Sequence, residues 1–287
     1  MHKNFKIIGL VISILIIFGF IFHQYVTKNQ NTHTFLPMSF ETFQATEHKI
    51  PYSFKLIKPD QCLFYFGSNH SHDPKNEQYP ALTDLWNEFL QQTHGKNCIV
   101  LIEGGLRNIQ KTQTQTIIKD GEAGYATFLA HQASIPCICA DPDDAYLKTE
   151  LLKQFNVDEI NYMRFTDIWH QFNEVAKNDA SLNFKKYLQK FHNFLGKKNL
   201  KYFQNLHQQF FHEPFDVNNE TNIRDTINLK NSDHIIGKIH HQNNVLRDEF
   251  IINQIQKLIM QGKNIFIVFG ATHAMMQESA IKSIWNS

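Results

Sequence analysis

With 287 residues, 42% of them hydrophobic, the chain is long enough to bury one substantial core. Its 28 Lys and Arg residues nearly cancel its 27 Asp and Glu residues, leaving a formal charge of +1. That balance gives no electrostatic footing for nucleic acid and argues for neither a basic nor an acidic partner.

Met1-His-Lys-Asn-Phe-Lys6 precedes an uncharged apolar stretch over residues 7–22. At about 1.5 Å per residue it spans about 24 Å, slightly short of a ~30 Å hydrocarbon core, but Lys6 can snorkel and Tyr25 and Val26 extend the far end. Residues 1–26 are therefore expected to be a single-pass membrane anchor. A cleavable signal peptide is the competing reading, and no small-x-small site follows Phe22 to support it. Lys3 and Lys6 before the stretch, against Lys28 after it, put the N-terminus in the cytoplasm and the body in the periplasm or outside the cell.

Residues 27–55 lack clear periodicity and read as a linker, so the domain is expected over 56–287. Its strands and helices alternate, the pattern of βαβ units and a largely parallel sheet, an α/β fold. The first predicted strand, 62–66, ends at Gly67. A helix over 80–93 follows, with Leu82, Leu85, Trp86, Phe89 and Leu90 on one face. The second strand, Cys98-Ile-Val-Leu-Ile102, is continuously apolar, as expected when both faces are covered, and ends in Glu103-Gly-Gly105. A helix beginning near Gly121-Glu122 leads to a third strand within 135–140, whose start Pro136 confines. Residues 143–235 are helical and aromatic, with a stripe through Tyr187, Leu188, Phe191, Phe194 and Leu195. They form a helical insertion that either covers the strand ends or packs against its neighbours. Finally Ile251, Ile252, Ile255, Leu258 and Ile259 line one helix face, a strand over 265–269 follows, and a last helix runs from about Met275 to Trp285.

Two strands end alike: Gly67-Ser-Asn-His70 follows the first and Gly270-Ala-Thr-His273 the last. Open parallel sheets present ligand-binding groups at the carboxyl ends of their strands, so two imidazoles from opposite ends of the chain are expected to meet there. Glu103 and Asp141 fall at the same rim, with His72 and Asp73 just beyond His70. Imidazole and carboxylate are ligands for zinc, manganese, cobalt or iron, and a histidine held by a carboxylate can also take a proton from water. Blander readings stand beside these. Glu103 could pair with a cation, Asp141 before Pro142 could form a turn, and Glu122 could favour a helix N-terminus or point into the cleft. Arg247 could make a salt bridge or bind an oxyanion, and His240-His241 reads as exposed. The four cysteines show no zinc spacing. Cys62 and Cys98 could pair if their strands are neighbours, or remain as small buried residues.

Phe64-Tyr-Phe-Gly-Ser-Asn-His70, Leu101-Ile-Glu-Gly104, Arg247-Asp248 and the run from Gly262 to His273 together resemble the TraB, GumN and Tiki superfamily. Erythromycin esterases and ChaN-type haem-binding proteins are distant relatives of that group. The resemblance covers residues 60–141 and 244–285. It implies a cleft with His70, Glu103 and His273 at its centre and Arg247 beside it, and looser matches at Glu122 and Asp141. Tiki-type members imply a metal-dependent protease using manganese or cobalt, with His70, Glu103 and His273 as ligands, and so a hydrolase of peptide or amide bonds on a peptide or small-molecule substrate. Esterase-type relatives imply a histidine that activates water without obligatory metal, but they carry an acidic residue where this chain has Ser68 and Asn69. ChaN-type relatives imply the alternative, a non-catalytic haem- or ligand-binding protein.

Overall fold

The computed structural model describes residues 35–39, 42–43, 45–46, 49–176, 181–218 and 234–287. The expected anchor over 7–22 lies outside them. Residues from Leu36 to Ser287 fall in one compact unit, which carries the sheet and its helices. Among the described residues, no helix is long and apolar enough to cross a membrane.

The fold is mixed α/β. Five strands, β1 (Tyr52–Ile57), β2 (Cys62–Ser68), β3 (Cys98–Ile102), β4 (Cys137–Cys139) and β5 (Asn264–Gly270), form one sheet in the order β1-β2-β5-β3-β4. β1 runs antiparallel to β2, and the remaining pairs are parallel. β1 corrects the linker reading. Tyr52, Phe54 and Leu56 turn inward while Ser53 and Lys55 stay exposed, a period of two that makes a half-covered edge strand.

Every residue of β2 and β5 is buried. On one face Phe64, Phe66, Val100, Phe266 and Val268 pack against α1 (Gln78–Thr93) and α2 (Gln113–Gln132). On the other, Leu63, Tyr65, Leu101, Ile265 and Ile267 pack against the later helices α7 (Ile235–Met260) and α8 (Ala271–Asn286). The insertion, α3 (Asp144–Leu151), α4 (Val157–Ala176), α5 (Phe184–Gln189) and α6 (Leu200–Phe211), has its own aromatic core. Phe165 and Phe203 stack there with centroids 4.5 Å apart, so these rings are packing rather than an open lid. Among the described residues the insertion holds no strand. α7 joins the two cores, with Ile236 and Ile239 in the insertion and Ile251 and Ile255 under the sheet.

Several boundaries differ from the sequence reading. α2 begins at Gln113, before Gly121, which is a break within it. α5 stops at Gln189, and turns carry Phe191 and Phe194. The third strand shortens to Cys137–Cys139 behind Pro136. α8 begins at Ala271, so His273 stands in the first turn of a helix and not on a loop. β5 separates β2 from β3, and all four cysteines are free. His240 is buried, its Nε2 3.1 Å from the Thr166 hydroxyl, rather than exposed.

Candidate functional site

The parallel register aligns the strand ends. Ser68 lies beside Gly270 and Ile102 beside Val268, so the residues that follow β2, β3 and β5 emerge at one rim. His70 follows β2 in a left-handed conformation, φ 52°, which lifts its ring out of the strand direction. The ring lies over β5, where a Cβ added to Gly270 would stand 2.5 Å from His70 Nε2. The glycine of one Gly-x-x-His motif thus makes room for the histidine of the other.

His70 Nδ1 lies 2.6 Å from Oε1 of Glu122, which is buried. Glu122 reaches this position through the break at Gly121, whose φ of 60° and ψ of −146° belong to a region almost confined to glycine. The hydrogen bond to Glu122 raises the pKa of His70 more than burial lowers it. Burial pushes the Glu122 carboxyl up, but His70 holds it below the ordinary range.

His273 is built differently. Its Nδ1 lies 2.7 Å from Oδ1 of Asp248 on α7, which is buried and also accepts from Gln277 Nε2 at 2.6 Å. Gln277 Oε1 in turn accepts from the buried Tyr65 hydroxyl at 2.9 Å. Burial lowers the His273 pKa, and Asp248 and Glu103 more than offset it, bringing it to about 9. The ring is therefore an imidazolium at neutral pH.

Both Nε2 atoms turn toward Glu103, that of His70 4.0 Å from Oε2 and that of His273 3.5 Å from Oε1. Glu103 itself is fully engaged. Arg247 Nη2 donates to Oε1 at 2.9 Å and the Gly270 amide donates to Oε2 at 2.8 Å. Burial opposes its charge, but His273 and Arg247 prevail and hold the carboxyl far below the usual carboxylate range. Arg247 also binds Asp141 Oδ1 through Nη2 at 2.7 Å and Nε at 3.1 Å, while Asp141 Oδ2 accepts from the Gly104 amide at 2.6 Å. Asp141 therefore anchors Arg247 as well as turning the chain.

Of the residues expected from sequence, His70, Glu103, Glu122, Asp141, Arg247 and His273 come together. His72 stands at the edge of an adjoining cleft, its Nδ1 3.2 Å from the Ile118 carbonyl oxygen. Asp73 does not join them; it accepts from the Lys75 amide and fixes a turn. Asp248 is a site residue that the sequence reading lacks. Its signal was an acidic residue on the apolar face, in register with Ile251, Ile252 and Ile255.

The rim opens on both sides of His70. A cleft of about 390 Å³ lies between α7 and the start of α8, walled by Asn69, Asn244, Val245 and Met276 and floored by Ala271 and Thr272. The N-cap of α8 is Gly270, which has no side chain, so among the described residues none caps the first turn and its orphan N–H groups stand at this opening. A second cleft of about 280 Å³ is lined by Glu103, Glu122 and residues of the β3–α2 connection. A third, of about 470 Å³, lies beside Phe191, Phe194, His240 and Arg247.

Among the described residues, no three His, Cys, Asp or Glu side chains are spaced to hold a metal ion. The hydrogen bonding accounts for it. Arg247 and His273 face Glu103 Oε1 and the Gly270 amide takes Oε2, so both oxygens of the central carboxylate are already engaged. The arrangement as it stands does not fit a divalent cation at His70, Glu103 and His273.

No known family model, curated protein or solved structure matches the chain.

Proposed function

We propose that the chain is a hydrolase of peptide or amide bonds, in which His70 activates the attacking water. The observation that carries the reading is a pair of histidines in one cleft, each with Nδ1 on a buried carboxylate and Nε2 turned inward. Glu122 takes the Nδ1–H of His70, which fixes the tautomer whose Nε2 accepts a proton. Water oxygen bonds to the carbonyl carbon as its proton passes to His70 Nε2. The carbonyl oxygen, now anionic, faces the uncapped first turn of α8 and the His273 imidazolium. The C–N bond then breaks, and His70 returns the proton to the departing amine. Glu103, with both oxygens taken, holds Arg247 and His273 in place and does not act as the base.

The same proposal takes the chain as a relative of TraB, GumN and Tiki proteins, held at a membrane by residues 7–22 with its domain in the periplasm or outside the cell. Manganese, cobalt or zinc on His70, Glu103 and His273 would be its metal-dependent form. Arg247 and the His273 proton would first have to leave Glu103, so no step is drawn through an ion. Hydrolysis of peptide and amide substrates by the chelator-treated full chain tests the choice. Turnover that survives chelation and needs His70 is expected. Activity lost to the chelator and restored by one of these metals transfers the reading to the metal form, and no hydrolysis in either state sinks both.

A second reading, a haem- or ligand-binding protein without turnover, draws on the third cleft, lined by two phenylalanines, two histidines and an arginine. A Soret shift on haem titration would favour it. No spectral change at stoichiometric haem would count against it.

A further inference from the structure

The two clefts that share His70 are unlike in chemistry. The one of about 280 Å³ has charged walls, among them Arg107, Lys119 and Asp120. The one of about 390 Å³ has Ile50, Val245, Ala271 and Met276 among its walls. Ile50 is 52% exposed, Thr272 on the floor is exposed and Val245 is partly so, which leaves this side accessible from solvent. Its ionisable lining is Asp248 and the imidazoles of His70, His241 and His273. Asp248 is buried and already holds His273 and Gln277, so a cationic guest finds no carboxylate to meet. Among the described residues, no Lys or Arg lines this cleft to receive an anionic one.

The proposed hydrolysis decides which part of a substrate lies there. Ala271 and Thr272, in the first turn of α8, floor the larger cleft. A carbonyl oxygen held at the free N–H groups of that turn puts its own residue above this floor. His70 stands at the other edge, lining both clefts, and hands its proton to the departing amine. The residue that supplies the carbonyl therefore has its side chain among Ile50, Val245 and Met276, and the amine side leaves over His70 toward the charged cleft. At about 390 Å³ the space lies near the low end of ligand cavities, about 300–1,000 Å³, and suits a side chain with its main chain rather than a folded loop.

We propose that this cleft is the side-chain subsite for the residue on the carbonyl side of the cleaved bond, and that it selects an uncharged apolar side chain such as that of leucine or methionine. Moving one such side chain from water to apolar walls is worth about tenfold or more in affinity. The assignment to the carbonyl side rests on the hydrolase reading; the preference for an apolar guest does not.

The test compares binding of N-acetylleucinamide, N-acetylglycinamide and N-acetyllysinamide to the full chain by NMR titration, with Tm of each variant measured alongside. The leucine probe is expected to bind about tenfold more tightly than either of the others. Val245→Phe, which fills the cleft from a partly exposed position, should remove that preference. Thr272→Asp, on the exposed floor, should shift it about tenfold toward the lysine probe, and it decides the matter if Val245→Phe does not fold. Equal affinities for the three probes, tighter binding of the lysine probe by the native chain, or a leucine preference unmoved by both variants overturns the proposal. Among peptides, kcat/KM should rise about tenfold when leucine replaces glycine before the cleaved bond, and turnover without that gain also overturns it. Absent turnover with the leucine preference intact removes the hydrolase reading instead and leaves the cleft as an apolar ligand site.

Discussion

His70 and His273 carry the same sequence signature and the same Nδ1–carboxylate pairing, yet they occupy opposite environments. The His70 side chain is 61% exposed on a connecting segment, and the His273 side chain is 12% exposed in the first turn of a helix. His70 has one partner within hydrogen-bond reach. His273 belongs to a chain running from Tyr65 through Gln277 and Asp248 to Glu103, Arg247 and Asp141. An exposed imidazole with a free nitrogen can exchange protons with a substrate, whereas one locked between two carboxylates is a fixed charge. A shared motif thus yields one mobile proton and one permanent cation, decided by what packs around each ring.

Four perturbations separate the two rings. The largest effect is expected from His70→Ala, which should lower kcat by about 10²–10⁴-fold and also lower Tm, because the buried Glu122 carboxylate loses the ring that holds its charge; a kcat within a factor of a few would remove its role as base. Next is Asp248→Ala, which leaves His273 without its Nδ1 partner inside the network. It should destabilise the domain by about 3–5 kcal/mol in urea unfolding, as when one member of a buried ion pair is removed. An unmoved urea midpoint would mean that His273 is no more structural than His70. Gly270→Ala isolates the exposed ring. Its Cβ would displace the His70 imidazole while leaving the His273 network in place, lowering kcat about tenfold to a hundredfold with a smaller change in Tm.

The gentlest probe is pH. His273 has a folded pKa of about 9 against an ordinary 6.5, so its contribution to stability is complete below about 6.5 and fades as pH rises through about 9. The raised pKa of His70 acts in the same direction. Tm should therefore decline across that window, and the decline should flatten in Asp248→Asn, which weakens the raising partner. A Tm that climbs from pH 6.5 to 9 in the native chain would contradict the imidazolium assignment.

The apolar runs of β2, β3 and β5 and their ends were legible because doubly covered strands leave continuous hydrophobic segments, and the rim residues follow from where those segments stop. His70, Glu103, Asp141 and His273 met there for that reason, whereas Glu122 and Arg247 reach the rim from helices. β1 was missed because an edge strand covered on one face keeps only a weak alternation, and here Tyr52, Phe54 and Leu56 were its whole signal. The start of α2 was hidden by Gly121, which ends helical periodicity locally although the helix continues beyond it. Asp248 was passed over since neighbours in a helix point about 100° apart, so the dipeptide Arg247-Asp248 does not reveal that its members serve two different partners. His240 looked exposed in a polar stretch, but burial there depends on α4 packing against α7, a contact distant in sequence.

The sheet order has a consequence for how the molecule is made. β5 sits between β2 and β3, although the whole insertion and α7 separate it from them along the chain. Until the ribosome has passed Gly270, β2 and β3 have no common neighbour, and Glu103 lacks the Gly270 amide and the His273 ring. The nascent polypeptide therefore carries His70 for most of synthesis without a working cleft around it. Assembly waits for a long-range strand insertion, the slow kind of closure in folding.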